Sequence, residues 1–90
     1  MYSIYDVNGH RGELASSSTV SIIYGIAKKL ELDNLKAFLD NGYSIDIDGV
    51  LSDLNEIEFE RITEIEDVVN DFISYVTGSK EVLIISDSVE

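Results

Sequence analysis

The chain has 90 residues, no Cys and a net charge of −12, from 18 acidic and six basic side chains. Without Cys there is no disulfide framework, thiolate metal site or cysteine nucleophile, and so acidic a chain repels nucleic acid and anionic membrane, which excludes direct binders of either. With 44% apolar residues it is expected to form a single acidic globular domain over 1–90, because two cores would each be too small to fold alone.

Tyr2 to Val7 alternates β-prone residues and runs into Asn8-Gly9, a pair suited to a type I′ hairpin turn. Arg11 to Ala15 is the expected return strand. Ser16 to Thr19 reads as a helix start, followed by a first helix over 19–31 with Val20, Ile23, Ile26, Ala27 and Leu30 inward and Lys28 and Lys29 near its C-terminus. Asp33 is placed to cap a second helix through Asp40, with Leu35, Phe38 and Leu39 inward and Asn41-Gly42 as a left-handed stop. Residues 43–48 read as a connection. Asp48 is placed to cap a third helix bearing Val50, Leu51, Leu54 and Ile57, and 56–61 reads as either helix end or extended link.

The fourth helix has the clearest pattern. Thr63 and Glu66 match a capping box, and Ile65, Val68, Val69, Phe72, Ile73 and Val76 follow a 3.6-residue period up to Gly78. Val82 to Ile85 is apolar on both faces of a predicted strand, as for a strand covered on both sides. The expected class is α+β: a small three-stranded sheet, made from the N-terminal β-hairpin and the C-terminal strand, with about four helices packed on it. The N-terminal strand is expected in the middle.

Met1 to Asp6 lacks the basic and long apolar stretches of a signal peptide, and the apolar runs fall far short of the roughly 20 residues that span a bilayer. A cytoplasmic protein without membrane association is expected.

Catalytic signatures are missing. There is no G-x-x-x-x-G-K-[ST], G-x-G-x-x-G or G-x-S-x-G, and His10 is the only histidine. Ser16 to Ser18 is better explained as a helix cap than as a nucleophile. With 18 acids, no one carboxylate pair singles itself out for acid–base work. The chain is therefore read as a non-enzyme with no cofactor.

Ser44-Ile45-Asp46-Ile47-Asp48-Gly49-Val50-Leu51 resembles the middle of an EF-hand loop, with oxygen side chains at alternate positions and Gly at the sixth. It departs at the first position, Ser44, and at the twelfth, Asn55, where a bidentate Glu belongs. No metal is expected; Asp46 and Asp48 are the weak candidates.

The charge distribution is more pointed. Between Asp40 and Asp71 there are eleven acids and one base, Arg61, for a charge of −10; the other 58 residues carry −2. Glu56, Glu58, Glu60, Glu64, Asp67 and Asp71 suit the solvent side of the middle helices. Such a run either keeps the chain soluble or is displayed to a basic partner, with steered association as the gain.

The leading expectation is a non-catalytic acidic binding protein that inhibits or regulates a basic protein partner, using Asp53, Glu56, Glu58, Glu60, Glu64, Asp67 and Asp71. Its analogues in size and charge are immunity proteins and DNA-mimic inhibitors of phage or other mobile elements. One alternative is a structural module that forms a homodimer through a sheet edge or its exposed tyrosines. Another is a cation-responsive module using the 44–56 loop.

Overall fold

The computed structural model describes residues 1–57 and 63–86, without the side chains of residues 63 and 64. Among these the order is β1 (Tyr2–Asp6), β2 (Gly9–Ala15), α1 (Ser17–Lys29), α2 (Asp33–Asn41), β3 (Tyr43–Ser44), α3 (Ile47–Ile57), α4 (Thr63–Val76) and β4 (Val82–Ser86).

The class is α+β, but the sheet has four strands rather than three, in the order β2-β1-β4-β3. All three pairings are antiparallel. The strand missing from the sequence reading is β3, which lies in the stretch read as a connection. Gly42, at φ 74°, turns the chain out of α2, and its carbonyl accepts from Ile84 N–H at 2.9 Å. Tyr43 and Ser44 then pair with Leu83 and Val82. Two residues are too few to show an alternating pattern. As expected, β1 lies inside the sheet.

The hairpin turn differs in detail. Asp6 pairs with Gly9, so the turn residues are Val7 and Asn8, and among these three only Gly9 has a positive φ, 114°. A type I′ turn would need positive φ at both central residues. The arrangement fits a type I turn followed by a left-handed glycine. Asp6 Oδ1 accepts from Asn8 N–H at 2.8 Å and holds the turn.

The helix starts shift for identifiable reasons. α1 begins two residues earlier than expected because Ser16 is its cap, its hydroxyl accepting from Thr19 N–H at 3.4 Å. Asp46, not Asp48, caps α3: Asp46 Oδ1 accepts from Gly49 N–H at 3.1 Å, and Val50 N–H bonds to the Asp46 carbonyl. Asp33 lies in the first turn of α2 rather than capping it. The cap residue is Leu32, which makes no side-chain bond, and Asp53 of α3 supplies the missing acceptor to Leu35 N–H at 2.9 Å. The proposed capping box at Thr63 lies outside the described side chains. α3 runs through Ile57, and the rest of the ambiguous 56–61 stretch lies outside the described residues.

The helices cover one face of the sheet. Ile4, Leu14, Val82 and Ile84 meet Val20, Ile23, Ala27, Leu35, Phe38, Val50, Leu54, Val69, Phe72 and Val76 in one core. Among the described residues Phe38 and Phe72 are its largest fully buried side chains, with ring centroids 5.9 Å apart and a 55° interplanar angle. Gly12 of β2 lies directly under the Tyr75 ring of α4, so a Cβ there would overlap the ring and force it to shift.

Only one face of β4 is fully covered, against the expectation of two. Val82 and Ile84 are buried, Leu83 is half-buried and Ile85 is exposed. Leu83 and Ile85 share the outer face with Tyr5 and Tyr43, which both pair with Leu83, and with Ser3, which pairs with Ile85. No described helix is long and apolar enough to cross a membrane.

Candidate functional site

α3 and α4 pack against each other, and each presents its apolar stripe to the core. Their other sides carry acids. On α3, Asp48 and Glu56 are exposed; on α4, Glu66, Asp67 and Asp71 are exposed, with Asp67 and Asp71 one turn apart. A helix that buries Ile65, Val69, Phe72 and Val76 must turn 66, 67 and 71 to water, because each lies far around the wheel from that stripe.

No described cation cancels the charge on these groups. Among the described residues the ion pairs are Arg11–Asp6 at 3.7 Å and Lys36–Asp40 at 3.0 Å. Glu56, Glu66, Asp67 and Asp71 take part in neither.

Other acids have structural partners. Asp53, counted with the binding acids in the sequence reading, is half-buried and turned to the N-terminus of α2. There the carboxylate meets a free N–H and the positive end of the helix dipole. Asp6 is buried, accepting from Ser79 Oγ at 3.1 Å and facing Arg11, which in turn donates to the Tyr75 and Thr77 carbonyls at the end of α4. Asp40 lies beside Tyr24 and Lys36, which hold its carboxyl below the usual range, while hydrogen bonding to Asp40 holds the Lys36 ammonium above its own. Glu58 and Glu60 lie outside the described residues. Glu64 belongs to α4, but its side chain lies outside them too.

In the 44–51 loop Ser44 and Asp46 accept from backbone N–H groups, while Asp48 is exposed. Ser44 Oγ accepts from Asp46 N–H at 3.0 Å, and Asp46 Oδ1 is spent on the α3 cap. No group of three or more His, Cys, Asp or Glu suited to a metal ion occurs among the described residues. His10 is exposed, its ring edge-on to Tyr5 at 5.1 Å.

Sequence reasoning missed two surfaces. One is the open sheet face, whose members come from three strands. The other is a cleft of about 430 Å³ between the 45–51 segment and the 78–80 turn. Both depend on pairings across distant parts of the chain, which local pattern does not report. The chain matches no protein-family model, no curated protein and no solved structure.

Proposed function

We propose that this chain is a non-catalytic binding protein that neutralises or regulates a basic protein partner through the solvent sides of α3 and α4. The observation that supports it is the exposed set Glu56, Glu66, Asp67 and Asp71, on two adjacent helices, without a described cation in ion-pair contact. Unneutralised like charges repel and cost stability, while they speed association with a cationic surface. A surface of this sign suits an inhibitor that competes with nucleic acid for a cationic cleft.

The test is affinity capture from source cells at about 0.1 M and about 1 M salt, where the Debye length falls from about 10 Å to about 3 Å. The proposal expects a basic protein retained at low salt, released at high salt and bound again when both components are purified. Retention that is unchanged at high salt would remove the electrostatic basis of the reading.

A second reading, a homodimer, is favoured by the open sheet face, where Tyr43 is 43% and Ile85 45% exposed. Tyrosine is enriched at protein interfaces. Sedimentation across micromolar concentrations tests it: a concentration-dependent dimer that Ile85→Ser abolishes supports this reading, and a monomer throughout rejects it.

A further inference from the structure

The cleft beside the start of α3 has a lining that points to a ligand class. One wall is formed by Ile45, Asp46, Ile47, Asp48 and Leu51, the other by Gly78, Ser79 and Lys80. At 70% exposure, Ile45 is the most exposed large apolar residue described, and Ile47 and Leu51 pack half-buried on the core. Asp46 is engaged as the α3 cap, whereas Asp48 is exposed and makes no ion pair with a described residue; nor does Lys80. Two carboxylates against one ammonium leave the cleft with one net negative charge.

These walls discriminate among occupants. Two aspartates disfavour an inorganic anion, and a wholly apolar guest would desolvate three charges without pairing any of them. A metal ion lacks a ligand set here. A long cationic side chain meets every requirement: an alkyl stem for the isoleucines and Leu51, and one positive charge that brings the cleft to neutrality. Arginine fits better than lysine, because its planar fork pairs with a carboxylate through two parallel hydrogen bonds.

We propose that this cleft receives an arginine side chain of the partner protein, its alkyl stem on Ile45, Ile47 and Leu51 and its guanidinium on Asp48, with Lys80 as an opposing charge that weakens the fit. The proposal rests on the basic-partner reading and adds a localised anchor to a diffuse acidic surface. Few residues carry most of an interface's binding energy, and arginine is prominent among them.

The test uses acetyl-arginine amide as probe and acetyl-norleucine amide as an uncharged control, read from the NMR methyl shifts of Ile45, Ile47 and Leu51. Saturable shifts with the arginine probe alone are expected. Asp48→Asn should weaken binding by about threefold or more, and Lys80→Gln should tighten it by a similar factor, the size of one exposed ion pair. Neither change touches the core or a cap, and unchanged shifts elsewhere in each variant verify the fold. Equal responses to both probes, no saturation, or failure of the two substitutions to act in opposite directions would overturn the proposal. If the arginine probe fails while the partner complex still depends on the α4 acids, the cleft is refuted and the acidic-surface reading stands.

Discussion

Asp53 of α3 accepts the Leu35 N–H of α2 at 2.9 Å, so one helix caps the start of another across 18 residues. α2 has no side-chain cap of its own. Asp53→Ala leaves that N–H without its partner in a half-buried place and is expected to cost about 1–2 kcal/mol in urea denaturation. Asp53→Asn, which keeps an acceptor oxygen, should cost less. Equal stability of wild type and the alanine variant would show that the bond contributes nothing.

Phe72→Ala should cost about 3–5 kcal/mol, because it removes a fully buried ring that packs on Phe38 between α4 and α2. Denaturant melts check this, and a loss below about 1 kcal/mol would mean that the site collapses without leaving a cavity.

That ring was legible in advance, and its legibility shows what local pattern carries. α4 repeats its apolar residues over more than two turns, so Ile65, Val69, Phe72 and Val76 are inward in both sequence and structure. β3 offers only two residues, and what makes it a strand is its pairing with β4, nearly 40 residues away. Asp53 shares the i, i+3, i+4, i+7 stripe of Val50, Leu54 and Ile57, so the period of α3 already sets it apart from its acidic neighbours; that it caps α2 depends on the packing of the two helices. The solvent side of α4 could be read from the period alone, whereas the cleft could not, since Asp48 and Lys80 come to line it only through the fold.

Glu31 follows α1 with a φ of 58°, a left-handed conformation that costs a residue with a Cβ but not glycine. Glu31→Gly is expected to stabilise the protein by about 0.5–1 kcal/mol, after allowing for the greater freedom of glycine in the unfolded chain. Glu31→Gln removes the charge while keeping the Cβ, so it should show less gain. A glycine variant no more stable than the glutamine variant would contradict the backbone explanation.

The Tyr43 hydroxyl donates to Glu81 at 2.6 Å, and that bond holds its pKa above the ordinary tyrosine value. The neutral phenol is the form that the fold favours. Its contribution to stability is therefore complete below the pKa of an unfolded tyrosine and is lost as pH rises through the higher folded value. In an alkaline spectrophotometric titration, Tyr43→Phe should remove a component ionising above free tyrosine, and Glu81→Gln should move it down. A late component that survives Tyr43→Phe would belong to another residue.

The central claim concerns where the negative charge acts, not how much there is. Two triple variants separate these: Glu66→Gln/Asp67→Asn/Asp71→Asn on α4, and Glu13→Gln/Glu31→Gln/Asp33→Asn elsewhere on the surface. Each removes three exposed negative charges. The direct measurement is the affinity of both for the purified basic partner at about 0.1 M salt. Loss of three exposed pairs, each worth about 0.5 kcal/mol, predicts binding weakened about tenfold for the α4 variant and little change for the other. Equal weakening by both variants, or none by either, would contradict the assignment of the acidic sides of α3 and α4 as the binding surface.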